Sequence, residues 1–126
     1  MIPHMPCDCE LDLKLRWVKV RASGVLTLDE MIAARREFSS DPNFAPDFYQ
    51  LYDVRAVART TLTASEVGKL ANATLFSPQS RRAVVAPGGE TYGLARLFQI
   101  YRELNAGREP IKVFRSVEEA EAWLAG

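Results

Sequence analysis

The chain has 126 residues, 48% hydrophobic and 25% charged, which is the ordinary composition of one soluble globular domain. Its 16 basic and 16 acidic residues balance, so no overall field draws it to nucleic acid or anionic lipid. The sequence shows neither an apolar run of the roughly 18 residues that cross a membrane nor a secretory signal. Together with only two cysteines, this predicts a cytoplasmic single domain over residues 1–126, without a nucleic-acid partner.

The first two elements are predicted by strict apolar–polar alternation, which is typical of half-buried strands. One phase of this alternation holds Cys7, Cys9, Leu11, Leu13 and Leu15, and the other holds Val18, Val20 and Ala22. The change of phase predicts a hairpin with its turn near residues 12–16, and Gly24 is predicted to end the second strand.

The rest of the chain alternates helices with strands. Three helices are predicted to begin at capping boxes, Thr27 with Glu30, Thr63 with Glu66, and Ser116 with Glu119. A longer helix is predicted over 90–106 and is ended by Gly107, while the strands are FYQLYDV, RRAVVA and PIKVF. The order ββαβαβαβα predicts an α/β domain with a five-stranded, mixed but mainly parallel sheet and four helices, in which the first strand is antiparallel.

Six stretches spread over nearly the whole chain carry a family resemblance: SGVLTLDEM, DPNFAPDF, LYDVRAV, RRAVVAP, YGLARLFQIY and VFRSVEEAEAWL. They resemble the SpoIIAA-like branch of the STAS (anti-sigma-factor-antagonist) superfamily. The resemblance implies a STAS-like fold, a bacterial source and a non-catalytic regulatory module that binds a protein partner.

One departure from that superfamily concerns its phosphorylated serine. The Asp-Ser-Gly or Ser-Ser-Gly motif that carries it is absent, and the corresponding region reads ARTTLTASEVG. Thr61, Thr63 and Ser65 lie there, but Thr63 is already explained as a helix cap. Phosphorylation at residues 60–65 is therefore not predicted to act as the family's switch.

The segment VVAPGGETYGLAR raises the question of a nucleotide site, because Gly88 and Gly93 have the spacing of a P-loop. The two positions after Gly93 carry Leu and Ala instead of the Lys and hydroxyl residue that bind phosphate and Mg²⁺. We therefore predict that Pro87–Gly89 turns the chain from strand into helix and that Gly93 allows close packing.

The carboxyl ends of the parallel strands and four helix N-termini are predicted to share one rim, where α/β sheets usually bind ligands and where amides favour anions. The candidate binding residues at this rim are Asp53, Arg55, Arg59, Gly88, Gly89, Glu90, Thr91 and Arg115. The alternative function is thus a carrier or sensor of an anion, a nucleotide or an amphipathic, lipid-like molecule. Its ligand lies at this rim or beneath the helix at 90–106.

Metal binding and catalysis find little support in the sequence. His4, Cys7 and Cys9 are soft ligands, but a structural zinc site needs four, so the cysteines are interpreted as buried strand residues. His4 is the single histidine, and no catalytic triad can be built around it. We expect no metal, no cofactor and no enzymatic activity.

The two functions predict different surfaces. A partner-binding module should expose a contiguous apolar patch that includes Ile100 and Trp123, without a deep pocket. A carrier should contain a concave apolar pocket with a few convergent polar groups. Trp17, Lys19 and Arg21 alternate against the buried phase of their strand, so one sheet face should be partly uncovered, which is consistent with a homodimer.

Overall fold

The computed structural model describes residues 7–72, 75–86, 88–104 and 110–126. Within these ranges the elements follow the predicted order ββαβαβαβα. The strands are β1 (Cys7–Asp12), β2 (Trp17–Leu26), β3 (Tyr49–Thr60), β4 (Arg82–Val85) and β5 (Ile111–Phe114). The helices are α1 (Leu28–Ser39), α2 (Ala64–Asn72), α3 (Gly89–Leu104) and α4 (Val117–Ala125).

The strands form one sheet in the order β1-β2-β3-β4-β5. β1 pairs with β2 in the antiparallel direction, and every other neighbouring pair is parallel. The α/β architecture, the mixed and mainly parallel sheet and the antiparallel first strand are thus confirmed.

The helices divide unequally between the two faces of the sheet. α1, α2 and α3 lie on one face, over a cluster that includes Val18, Val20 and Phe48, the last only 1% exposed. α4 lies alone on the other face, over a smaller cluster that includes Trp17 and Leu51. Because α4 covers mainly the β3–β5 part of its face, the strands β1 and β2 carry exposed charged residues there.

Helix capping follows the sequence closely. At α2 the predicted box is complete: the N–H of Glu66 donates to the Thr63 hydroxyl (3.2 Å) and the N–H of Thr63 donates to Glu66 Oε1 (2.9 Å). Thr27 accepts from the N–H of Glu30 at α1, and Ser116 accepts from the N–H of Glu119 at α4. In these two helices the described hydrogen bonds include the one that the cap hydroxyl accepts. They do not include the reciprocal bond, in which the N–H of the cap residue donates to the glutamate carboxylate.

The hairpin turn lies at residues 13–16, as predicted, but two leucines assigned to its strands do not belong to them. Leu13 is 55% and Leu15 49% exposed. Asp12 Oδ1 accepts from the N–H groups of Lys14 (3.1 Å) and Leu15 (2.9 Å), which closes a turn around the aspartate. These hydrogen bonds end β1 at Asp12, although the alternating apolar pattern of the sequence continues to Leu15.

β2 and β3 are both longer than predicted. Gly24, expected to end β2, has a φ of +68° and lies at an irregularity of the ladder, after which β2 continues to Leu26. β3 continues in parallel to Thr60, whose hydroxyl donates to the carbonyl of Leu26 (2.9 Å). A glycine bulge lets a strand bend without ending it.

The glycine segment forms the predicted turn into α3. Gly88 (φ +152°) and Gly89 (φ +66°) both adopt positive φ, which favours glycine, while Pro87 lies outside the described residues. The reason predicted for Gly93 is wrong, since a Cβ built there would meet no atom within 4 Å. Close packing instead occurs at Gly68 of α2, where a Cβ would lie 3.7 Å from the ring of Tyr101 on α3.

Two glycine-to-alanine substitutions should therefore change stability in opposite directions. Gly68→Ala should raise the free energy of unfolding by about 0.5–1 kcal/mol, because alanine suits a helix and its methyl group makes an ordinary contact with Tyr101. Gly89→Ala should lower it by about 1 kcal/mol, because alanine is strained at positive φ. Urea denaturation measures both, and a Gly68→Ala protein less stable than the parent would contradict the helix packing described.

Candidate functional site

Two concave regions lie on opposite faces of the sheet. The first, which we call the α2–α3 cavity, has a volume of about 80 Å³ and lies between the sheet and the helices α1, α2 and α3. Its apolar lining residues are Leu26, Met31, Val54, Leu62, Val67, Leu70, Val84, Leu94, Ala95, Phe98 and Ile111. Its polar lining residues are Arg35, Gln50, Tyr52, Thr60, Arg82 and Thr91.

The most unusual residue of the cavity is Arg82. It is a charged residue that is only 7% exposed, and it lies on an inner strand of the sheet. Its Nε donates to Oε1 of the buried Gln50 (3.0 Å) on the neighbouring strand. Its guanidinium carbon lies 4.8 Å from the ring centroid of Phe76 and 5.3 Å from that of Phe98. Two rings and an amide thus fix the orientation of a permanently charged group in the cavity wall.

A second cation reaches the same cavity from α1. Arg35 Nη1 donates to the carbonyl oxygen of Leu70 on α2 (3.3 Å). Among the described residues that line the cavity, two carry a positive charge and none carries a carboxylate. The charged groups of the described lining are therefore two guanidinium groups, set in an otherwise apolar lining.

Tyr52 lines the cavity and also interacts with the two cysteines of β1. Its buried hydroxyl oxygen has no hydrogen-bond partner among the described residues, and burial raises its pKa well above the ordinary value. The neighbouring Cys7 thiol contributes to the raised pKa of Tyr52. Burial raises the pKa of Cys7 too, and burial together with the charge of Glu37 raises the pKa of Cys9 to about 12.

The second concave region, the polar cleft, lies on the α4 face and measures about 190 Å³. Its lining residues are Asp8, Glu10, Lys19, Val20, Arg21, Leu51, Asp53, Arg55, Val117 and Glu121. Arg55 holds Asp53 at two points, from Nε to Oδ1 (3.0 Å) and from Nη2 to Oδ2 (2.9 Å). Burial acts to raise the pKa of Asp53, but the hydrogen bonds from Arg55 outweigh it and hold the pKa below its ordinary value.

The residues predicted for the rim separate into several places. Asp53 and Arg55 lie together in the polar cleft, whereas Thr91 lines the α2–α3 cavity on the opposite face. Arg115 stacks on the ring of Tyr92 (4.7 Å), beside Gly88. The structure therefore does not bring the predicted set into a single site.

The remaining predicted residues are surface positions. Gly89 and Glu90 are exposed in the first turn of α3, and Arg59 is exposed near the end of β3. Asp53 is not the end of its strand as the prediction assumed, because β3 continues to Thr60. The rim is uneven for this reason: β4 and β5 end level with Asp53, while β2 and β3 extend past it.

Sequence reasoning missed Arg82 and Gln50, although a signal existed for both. RRAVVA is predicted to be a strand of a mainly parallel sheet, and such strands are usually buried on both faces, which places Arg82 inside the apolar core. A buried cation requires partners or a special surrounding. The same holds for Gln50 in the aromatic strand FYQLYDV.

The exposed patch expected for a partner-binding module is not formed by Ile100 and Trp123. Ile100 is 44% exposed on α3, as predicted. Trp123 belongs to α4 on the other face and packs against Phe114 and Arg81. Tyr92 of the same helix as Ile100 is partly buried against the main core.

The cysteines of β1 and the lengths of the helices bear on metal binding and on membrane spans. His4 lies outside the described residues, and Cys7 and Cys9 face the core from β1, with Cys9 Sγ donating to the carbonyl of Ala34 (3.6 Å). In the described ranges, no three histidine, cysteine or acidic side chains gather into a potential metal site. Nor does any helix in those ranges have the length and apolar character to cross a bilayer.

The Asp53–Arg55 pair predicts a specific dependence of stability on pH. Asp53→Asn should lower the free energy of unfolding by about 1 kcal/mol at pH 7, a modest value because Arg55 is half exposed. The pKa of Asp53 is lower in the folded protein. Its stabilising effect is thus fully present above the unfolded pKa of about 3.9 and is lost as the pH falls through the folded value.

Urea denaturation at pH 7 and at pH 2 to 3 measures this effect, with the exposed Glu103→Gln as a control. Arg55→Met should cost about as much as Asp53→Asn at pH 7, and the double variant little more than either. A loss from Asp53→Asn that is unchanged in acid would show that the carboxylate charge is not responsible.

Comparison with known proteins bears on the fold. No protein-family model matches the chain, and no curated protein matches it. Among solved structures, it is similar to an uncharacterized protein of the DUF3478 family with a SpoIIAA-like fold from Shewanella loihica PV-4. The two are 19% identical with a TM-score of 0.55, over 86% of this chain and 83% of that one. The chain therefore has the SpoIIAA-like fold, which confirms at the level of fold the resemblance found in its sequence.

Proposed function

We propose that the protein is a non-catalytic binding domain whose α2–α3 cavity holds a small amphipathic anion. The observation that supports this is an apolar cavity with two guanidinium groups and no carboxylate among its described lining residues. The apolar lining suits the hydrocarbon part of such a ligand, and the cations suit its acidic group.

Arg82 is the residue that would hold the acidic group. Gln50, Phe76 and Phe98 already fix its side chain, so little conformational entropy is lost when a ligand binds. Burial also strengthens the attraction, because a low-dielectric surrounding screens charges less than water does. A carboxylate fits this role, since it accepts hydrogen bonds from the planar guanidinium in matching geometry.

The size of the cavity restricts the ligand. Its volume of about 80 Å³ is well below the roughly 300–1,000 Å³ of pockets that enclose drug-sized molecules. A nucleotide is therefore disfavoured among the ligand classes considered from the sequence. A short-chain or single-ring carboxylate is favoured.

The chemistry of the surrounding residues favours binding over catalysis. The thiols nearest the cavity wall are those of β1, and their raised pKa values leave little of the reactive thiolate. The Tyr52 phenol likewise stays protonated near neutral pH, because its pKa is raised well above the ordinary value. A bound carboxylate would thus meet fixed cations and inert groups.

Thermal denaturation with added ligands tests the proposal. Hexanoate or benzoate at about 100 times its dissociation constant should stabilise the fold by about 2.7 kcal/mol, which raises the melting temperature by several degrees. Inorganic phosphate and the uncharged hexanol should each have smaller effects, because phosphate lacks the apolar part and hexanol lacks the charge. The proposal fails if none of these carboxylates raises the melting temperature.

Two variants distinguish the effect of the Arg82 charge from the effect of the cavity volume. Arg82→Met keeps a long unbranched side chain and should abolish the preference for hexanoate over hexanol, while Arg96→Met on the exposed side of α3 should keep it. Ala95→Leu places three further carbon atoms at a residue that lines the cavity and should abolish stabilisation by both ligands. Stabilisation that survives Ala95→Leu would locate the ligand elsewhere.

A further inference from the structure

β1 is an edge strand of the sheet. β1 comes first in the strand order, and its one strand partner in the described part of the chain is β2. The edge of a sheet presents backbone N–H and C=O groups that another chain can pair with. With six residues, β1 is long enough to pair with an extended segment.

The two faces of β1 differ in chemical character. Asp8 and Glu10 line the polar cleft on the open side of the sheet, and Asp12, which contacts Lys19, continues the same alternation. Cys7, Cys9 and Leu11 alternate with them and face the core beneath α1. A segment that adds to this edge must therefore match an acidic row on one side and an apolar row on the other.

The pairing of β1 with β2 shows which pattern of side chains is complementary to β1. Across the β1–β2 ladder, Arg21 lies opposite Asp8 and Lys19 lies opposite Glu10, while Lys19 Nζ also reaches Asp12 (3.3 Å). Val20 lies between these two cations in sequence, and with Val18 it faces the core. Three carboxylates of β1 thus share two cations of β2, which leaves an excess of negative charge along the row.

We propose that an extended segment of a partner protein, with alternating basic and apolar residues, adds to the outer edge of β1 as a sixth strand. Its basic side chains lie beside Asp8, Glu10 and Asp12, and its apolar side chains continue the row of Cys9 and Leu11. Backbone hydrogen bonds supply affinity, and the alternation of the side chains supplies specificity. This docking site is separate from the α2–α3 cavity and does not depend on its ligand.

A second copy of the chain is a poor occupant of the same edge. Two β1 strands that pair about a two-fold axis in a continuous sheet run antiparallel and keep their faces, so their acidic rows lie side by side. Like charges on directly opposed strand positions destabilise pairing. The acidic row therefore disfavours a homodimer through β1 and selects a basic partner.

A fluorescein-labelled ten-residue peptide of alternating valine and lysine is the probe, with binding followed by fluorescence anisotropy. We expect saturable binding, together with slower amide hydrogen exchange in β1. A peptide with glutamate in place of lysine should not bind. The lysine peptide with its four central amides N-methylated should not bind either, because it keeps the charge but cannot donate backbone hydrogen bonds.

A pair of charge-reversal variants tests the position. Glu10→Lys should weaken binding roughly tenfold, since it converts a favourable cross-strand pair into an unfavourable one. Glu103→Lys makes the same change of net charge on the exposed surface of α3 and should change affinity less than twofold. Circular dichroism checks that both variants keep the parent's fold.

Three results of the binding experiments would overturn the proposal, and so would one result of light scattering. The first is absence of binding by the lysine peptide, and the second is equal binding of its N-methylated form, which would reduce the effect to general charge attraction. The third is equal weakening by Glu10→Lys and Glu103→Lys. Light scattering that shows a dimer disrupted by the peptide would assign the edge to a second copy instead of a partner.

Discussion

The pairing of β2 with β3 is the interaction on which the rest of the fold depends. These two strands are the longest, and their parallel ladder runs from Trp17 opposite Tyr49 to Leu26 opposite Thr60. β1 attaches to one side of this pair, and the short β4 and β5 attach to the other. Because β2 and β3 extend past their neighbours, their ends supply Leu26 and Thr60 to the wall of the α2–α3 cavity. The hollow beneath the helices is thus bounded by the part of the ladder that β4 does not cover.

Arg82 determines the chemical character of that hollow. A strand buried on both faces would normally carry an apolar residue at this position. A guanidinium needs polar contacts and polarisable neighbours, and here Gln50, Phe76 and Phe98 supply them. The outcome is a guanidinium group among apolar side chains in the cavity wall, and the proposed binding of an anion depends on it.

Much of the fold could be predicted from the sequence, because its signals are local. Alternation gave β1 and β2, and the caps at Thr27, Thr63 and Ser116 located three helices to within a residue. The sequence predicted a strand end at Gly24, where the structure has a bulge. A glycine is typical of both features, so the residue type alone does not distinguish them. The candidate site was less predictable, since it depends on which face each strand residue occupies: Asp53 and Thr91 were expected at one rim and lie on opposite faces.

The division of the helices between the faces has a consequence for biosynthesis. α4 is the last element in chain order, yet the residues it covers, such as Trp17, Leu51 and Val85, come from β2, β3 and β4. In a nascent or partly folded chain, this apolar surface stays exposed until α4 docks on it. The α4 face is therefore the aggregation-prone side of any intermediate in which the sheet has formed and α4 has not docked.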